Sequence, residues 1–118
     1  MPLDAQASRR AYKILAFLAG PEPVGDDERK ALDVFAAAHG LPADELSALH
    51  TAGQSKESLE TPSDDAEQTI VIDAMIELIA ADGVLDHHEQ ERLLTLANDL
   101  SISQKIMRAR LLDRLMGG

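Results

Sequence analysis

The chain has 118 residues, with 21 acidic and 11 basic side chains, a formal charge of −10 and no cysteine. The lack of cysteine excludes a disulfide framework and a thiolate metal site, and the negative charge with only three aromatic residues argues against nucleic-acid binding. The length suits one domain, and no apolar run approaches the roughly 20 residues of a membrane span. We therefore expect a single cytoplasmic domain without an integral membrane segment.

The first half of the chain has the pattern of three helices. Asp4 is placed to cap a helix over 5–19, and Gly20 is placed to end it. A second helix is predicted over about 27–38. A third is predicted over 42–53, where the opening proline needs no N–H partner.

The polar segment 53–63 is predicted to be a linker between this half and the next. After it, Asp64 and Glu67 have the spacing of a capping box. The apolar residues over 70–79 recur at helical spacing and form one broad face. The pattern predicts a fourth helix that starts directly after the linker.

The last part of the chain predicts two more helices. A turn at Gly83 leads to the fifth, and Ser101 with Gln104 fits a capping box before the sixth. No stretch alternates with period two for long enough to form a strand, so the predicted fold is an all-α compact bundle of about six helices. A shift of 61 residues places apolar on apolar positions, which predicts pseudo-repeats over about 4–52 and 64–116.

The charge is unevenly distributed along the chain. Residues 22–91 hold 18 acidic groups and three basic ones, a local net of −15, whereas the two ends hold eight basic groups and three acidic ones, a net of +5. One interpretation is a dipolar surface whose basic ends lie near its acidic middle. The other is an acidic face built for cations or for a basic protein partner.

The densest cluster of charged and metal-ligating side chains is the predicted turn over 82–91. It holds four carboxylates, two imidazoles and no basic residue. Caps explain part of this pattern, because Asp86 can cap the fifth helix and Glu89, three residues on, completes a capping box. Each of these residues is useful without a ligand.

The same turn also has the composition of a metal site. A tight turn would bring Asp82, at the end of one helix, close to Asp86 and Glu89 at the start of the next. Three carboxylates with turn carbonyls suit Ca²⁺ or Mg²⁺, and His87 or His88 would instead recruit a transition metal. The spacing fits neither an EF-hand nor a His-Glu-x-x-His helix.

The turn contains the pattern A-D-G-x5-E-x3-L, which is formed by Ala81-Asp82-Gly83, Glu89 and Leu93. This motif resembles the core motif of the tellurite-resistance TerB-like domains, whose helical architecture is shared by the amino-terminal domain of DnaJ-type membrane co-chaperones. The resemblance is best over about 70–107 and extends weakly over 12–46. It implies a helical bundle of two similar halves and a non-enzymatic role, with a protein partner, in stress or metal (tellurite) resistance complexes.

The resemblance also implies a divalent-cation site at the acidic residues of such turns, here Asp82, Asp86 and Glu89. The first half departs from the motif, since Gly20-Pro21-Glu22-Pro23 stands where A-D-G would be, so a second symmetric site is not predicted. No set of residues typical of nucleophilic catalysis or nucleotide binding is present. His39 and His50 lie near predicted helix ends, where a cation complements the helix dipole.

Overall fold

The computed structural model describes residues 3–82 and 85–117, and all regular structure in these two stretches is helical. It contains six α-helices: α1 Ala5–Ala19, α2 Asp26–Ala38, α3 Leu46–Gly53, α4 Asp65–Ile79, α5 His87–Asp99 and α6 Gln104–Gly117. Short 3₁₀ turns precede α3, follow α3 and follow α4, at Ala43–Glu45, Lys56–Ser58 and Ala80–Asp82. The prediction of an all-α bundle is confirmed. None of the described helices is long and apolar enough to cross a membrane.

Helix α1 begins and ends where the sequence predicts. Oδ1 of Asp4 accepts the N–H of Ala7 at 2.8 Å, which satisfies one of the free donors of the first turn. Gly20 has a φ of 87° and its N–H bonds the carbonyl of Ala16, so the helix stops at a residue that adopts positive φ without a Cβ clash. Both signals are local in the sequence.

Helix α1 lies at the centre of the bundle, against α2, α3 and α4, while α5 packs on α4 and α6. The core is built mainly from aliphatic side chains on the inward faces of these helices. Its largest fully buried members include Tyr12, Ile14, Leu15, Leu32, Ile72, Met75, Leu78, Leu93 and Met107. Burying such side chains is the main favourable contribution to folding.

Named contacts fix the directions of three of these helices. Arg10 pairs with Glu67 at the start of α4, and Leu15 and Leu78 line one groove further along both helices, so α1 and α4 run parallel. The N–H of Leu3 bonds His39 at the end of α2. Helix α2 therefore runs antiparallel to both α1 and α4.

The backbones of α1 and α3 meet at Gly53. A Cβ on this residue would lie 2.6 Å from the carbonyl oxygen of Lys13 and 3.0 Å from the Cβ of Ala16. Gln54 strengthens the contact, because its side-chain amide donates to the carbonyl of Ala16 at 2.9 Å. Gly53 closes α3 as predicted, and it also allows the two helices to approach this closely.

The predicted capping box at Asp64 and Glu67 is only half formed. Asp64 Oδ1 accepts the N–H of Glu67 at 2.8 Å, but the Glu67 carboxylate bonds Arg10 at 2.7 and 2.8 Å and the hydroxyl of Ser63 at 2.7 Å. The side chain of Glu67 is only 3 % exposed. Because a buried carboxylate needs a cationic partner, the long-range pair replaces the local bond.

Two other predicted helix starts are wrong. Helix α3 begins at Leu46, because Pro42 is followed by a 3₁₀ turn before the α-helix starts. At α6 the hydroxyl of Ser103 accepts the N–H of Ile106 at 3.2 Å, whereas Ser101 has a φ of 58° and ends the preceding helix. The chain needs a turn of positive φ between α5 and α6, and this moves the cap two residues onward.

The segment predicted as a polar linker is tied to the bundle. Leu59 is buried in the core. The hydroxyl of Thr61 donates to the carbonyl of Leu100 at 2.6 Å, and Lys56 forms an ion pair with Asp99. These contacts hold the connection between α3 and α4 against the end of α5.

Candidate functional site

The carboxylates of the α4–α5 connection form a complete capping box. Asp86 is the N-cap of α5, with Oδ1 accepting the N–H of Glu89 at 2.8 Å, and the N–H of Asp86 donates to Glu89 Oε1 at 3.4 Å. The Gln90 side chain donates to the carbonyl of Leu85 at 3.1 Å. The capping interpretation of Asp86 and Glu89 is therefore confirmed, and it fixes both carboxylates at the start of one helix.

The cap uses one oxygen of each carboxylate, Oδ1 of Asp86 and Oε1 of Glu89. Asp86 is exposed and Glu89 is partly exposed, and the capping box leaves the second oxygen of each carboxylate unused. Oxygen donors at a helix N-terminus are held in place by the N–H bonds they accept. A cation would meet two positioned carboxylates here.

The third predicted ligand, the side chain of Asp82, lies outside the part of the chain that the structure describes, as do Gly83 and Val84. Among the described residues, no three His, Asp or Glu side chains are grouped closely enough to hold a metal ion. The set of Asp82, Asp86 and Glu89 therefore stays a prediction.

The two adjacent histidines point to different neighbours. His87 is exposed, and its Nε2 lies 3.0 Å from Oε1 of Glu91 one turn later. His88 is also exposed and lines a cavity of about 330 Å³ between the end of α1 and α5, beside Phe17 and Arg92. Arg92 donates to the carbonyl of Leu18 at 3.0 Å, which ties α5 to the end of α1.

Part of the acidic middle is paired with the basic ends of the chain. Four ion pairs join arginines of α1 and α6 to carboxylates of the middle: Arg9–Glu45, Arg10–Glu67, Arg110–Asp73 and Arg114–Glu77. The first interpretation of the charge pattern, with basic ends beside an acidic middle, therefore describes this part of the surface. These pairs are on helices α1, α4 and α6 and on the turn before α3, and none of them involves Asp86 or Glu89.

The Arg10–Glu67 pair is the most buried of the four, with side chains 14 % and 3 % exposed. Two hydrogen bonds from Arg10 lower the pKa of Glu67, and the same bonds raise the pKa of Arg10. The Glu67 carboxylate is thus held ionised. Its role is structural, since it joins α1 to the start of α4.

The turn carboxylates have no such partner. Within the described residues, Asp86 and Glu89 form no ion pair with a lysine or arginine, since the ion pairs of that part of the chain involve other carboxylates. The N-terminus of α5 favours negative charge at this position. Asp26 and Asp27 in the first turn of α2 likewise form no ion pair within the described residues, and the turn differs from them in that both of its carboxylates are fixed by the capping box.

A buried histidine, His50, is not among the residues predicted from the sequence to be buried. His50 is 1 % exposed, and its Nε2 lies 2.8 Å from the carbonyl of Gly20, which fixes Nε2 as the donor. Its Nδ1 lies 3.7 Å from Oε1 of Glu22, which also bonds Arg29 at 3.2 Å. His50 anchors the α1–α2 connection to α3. His50 lies four residues after Leu46 and three before Gly53, and this helical spacing is the signal in the sequence for its burial.

His39 also has a structural role. Its Nδ1 accepts the N–H of Leu3 at 3.0 Å, and its ring packs against Phe35 with centroids 4.4 Å apart and the ring planes tilted by 40°. Burial lowers the pKa of His39, so the ring is neutral when it accepts this bond. The interpretation of His39 as a cation that complements the dipole is wrong, because the accepted hydrogen bond requires an unprotonated Nδ1.

The family model described as tellurite resistance protein TerB matches residues 22–111. The match covers α2 to most of α6 and includes the whole α4–α5 connection. Comparison with curated proteins and with solved structures gave no match.

Proposed function

This chain belongs to the TerB family, and from that premise we propose that it is a non-enzymatic binding module of a stress or metal (tellurite) resistance system. We propose that its α4–α5 connection binds a divalent cation through Asp82, Asp86 and Glu89. The ion suited to an all-oxygen set is Ca²⁺ or Mg²⁺. A transition metal would be favoured if His87 or His88 joined the set.

One observation carries this proposal. The arginines of α1 and α6 pair with other carboxylates of the acidic middle, while Asp86 and Glu89 keep their charge without a basic partner in the described residues. Both side chains are already positioned by the cap, and each has a second oxygen that the cap does not use. Because these carboxylates are already positioned and have no basic partner, less conformational entropy is lost when they bind a cation.

The test is a titration of the ¹⁵N-labelled protein with Ca²⁺, Mg²⁺, Mn²⁺ and Zn²⁺. We expect saturable amide shifts centred on residues 82–91 that are lost in Asp82→Ala with Glu89→Gln. A matched control, Glu57→Gln with Glu60→Gln, removes the same charge from exposed positions of the α3–α4 connection and should keep the shifts. Shifts that spread over the acidic surface, or that survive the first pair of substitutions, would contradict a site at this turn.

A further variant distinguishes the capping role of Asp86 from its proposed role as a cation ligand. Asparagine caps helices about as well as aspartate, so Asp86→Asn should keep the thermal stability of the metal-free protein. It should still weaken cation binding, because the amide brings no charge. Equal affinity in Asp86→Asn and the unaltered chain would remove Asp86 from the ligand set.

The second candidate is a scaffold whose acidic face docks a basic protein partner without a metal. The complete capping box favours it, since Asp86 and Glu89 satisfy each other's backbone donors with no ion needed. The exposed acidic first turn of α2, Asp26 and Asp27, extends the same charge. The absence of shifts at millimolar metal, with salt-sensitive shifts on adding a short oligolysine peptide, would support this function instead.

A further inference from the structure

Helix α6 has an apolar stripe on its exposed side. Leu112, Leu115 and Met116 are 56 %, 52 % and 79 % exposed, and their spacing places them on one side of the helix. Lys105 and Arg108, both exposed, precede Leu112 by two turns and one turn on the same side. We call these five residues the α6 stripe. It is apolar towards its C-terminal end and basic towards its N-terminal end.

A groove on another face of the bundle has a complementary character. It lies between α2 and α4 and has a volume of about 490 Å³. Its α2 wall includes Ala31, Val34 and Ala38, and its α4 wall includes Ala74 and Leu78. Val34 is 61 % exposed, so the α2–α4 groove presents apolar surface that nothing within the described chain covers.

The α2–α4 groove is acidic at one end. Since α2 and α4 are antiparallel, Asp27 at the start of α2 lies at the same end as Glu77 near the C-terminal end of α4. The C-terminal carbonyls of α4 add partial negative charge there. Lys30 lies further along α2, and His39 lies at the opposite end.

We propose that a second copy of this chain places its α6 stripe in the α2–α4 groove. The apolar residues of the stripe cover Val34 and its neighbours, and Lys105 and Arg108 lie towards Asp27 and Glu77. This charge order makes the docked α6 run parallel to α2. Glu77 already bonds Arg114 of its own chain, so Asp27 is the main new partner of the incoming cations.

Charge complementarity selects a second copy as the occupant. The stripe carries cations on a chain whose formal charge is −10. An acidic membrane is anionic over its whole surface and would repel the rest of the molecule, whereas a second copy opposes association through its net charge but places Asp27 and Glu77 beside the two cations. The groove of another copy offers apolar area with acidic groups at one end only. Because stripe and groove are different surfaces of one chain, the contact is heterologous and repeats from copy to copy.

A pair of variants tests this contact directly. Val34→Arg blocks the groove, and Leu112→Glu with Met116→Glu destroys the stripe; all three positions are exposed, so the fold should persist. In sedimentation experiments with EDTA present, the mass of the unaltered chain should rise above 12.7 kDa with concentration, and each variant alone should remain a monomer. The two variants mixed should form a 1:1 dimer, because one has an intact stripe and the other an intact groove.

Three outcomes would overturn the proposal: an unaltered chain that stays monomeric at millimolar concentration, a single variant that still associates, or a mixture that forms no dimer. Thr51→Arg, an exposed substitution on α3, is the control and should associate like the unaltered chain. Amide spectra establish that each variant is folded, and Val34→Ser is a milder groove variant. Stripe-dependent sedimentation of a monomer with anionic vesicles would assign the stripe to lipid instead. The presence of EDTA separates this test from that of the cation site.

Discussion

A methyl group added at Gly53 should force α1 and α3 apart. In Gly53→Ala the new Cβ would lie 2.6 Å from the carbonyl oxygen of Lys13 and 3.0 Å from the Cβ of Ala16. The first distance is about 0.8 Å short of an ordinary contact of 3.4 Å. Both neighbours belong to the rigid central helix, so neither moves away as a flexible side chain would.

The two energetic terms in this substitution have opposite signs. Overpacking of a close contact costs about 1–3 kcal/mol, and replacing glycine by alanine in a helix gains up to about 1 kcal/mol. We expect a net loss of roughly 1–2 kcal/mol, which lowers the melting temperature by about 4–8 °C for a chain of this size. The assay is thermal and urea unfolding followed by circular dichroism.

Gly117→Ala is the matched control, because a Cβ at this position meets nothing within 4 Å. Only the propensity term applies there, so the variant should be as stable as the unaltered chain or slightly more stable. If Gly53→Ala also proved neutral or stabilising, the α1–α3 contact would not be tight enough to require glycine, and the reasoning would be refuted.

Other predictions concern single hydrogen-bonding groups. Arg10→Met leaves the buried Glu67 carboxylate without its cation and should lower the free energy of unfolding by about 3 kcal/mol at pH 7. Because the fold lowers the pKa of Glu67, this stabilisation is present above the unfolded pKa and is lost as the pH falls through the folded pKa. Urea unfolding at pH 3 should therefore show a smaller difference between the variant and the unaltered chain. Because the pKa of His39 is lowered, the hydrogen bond that its Nδ1 accepts from the Leu3 N–H is present above about pH 6.5 and is lost as the pH falls through the folded pKa. In an NMR titration the Leu3 amide signal should shift together with the ring signals of His39. A titration midpoint above about pH 6.5 would contradict this. Asp86→Ala removes the α5 cap and should cost about 1 kcal/mol in EDTA, measured by thermal unfolding against Asp86→Asn, and an equal loss in both would contradict the capping role.

Two identical spacing patterns in this sequence have different outcomes. Asp64 with Glu67 and Asp86 with Glu89 both spell a capping box, yet only the second forms completely. Glu89 lies at the surface, where the nearest donor is the cap itself. Glu67 lies where α1 crosses the start of α4 and binds an arginine 57 residues away in sequence. Local spacing predicts the helix start in both cases, but it does not show which carboxylate a distant cation will bind.

Periodicity predicts the six helices, and the capping residues Asp4 and Gly20 predict the bounds of α1. The roles of residues that depend on packing between helices are harder to predict from the sequence. Gly53 reads as a helix end in the sequence, but its contact with Lys13 depends on how α1 and α3 cross. The burial of His50 likewise follows from the place where the α1–α2 connection passes over α3. At the candidate site, spacing predicts the Asp86–Glu89 cap correctly, because both groups lie within one turn of one helix.

The central position of α1 has a consequence for how this chain is divided experimentally. The family match begins at residue 22, after α1 has ended, but α1 contributes Tyr12, Ile14 and Leu15 to the buried core and contacts three other helices. A chain shortened to the matched segment would expose the surfaces of α2, α3 and α4 that α1 covers. We expect such a fragment to lose cooperative unfolding and to be restored by adding back a peptide of residues 3–21, so the smallest folding unit is larger than the segment by which the family is recognised.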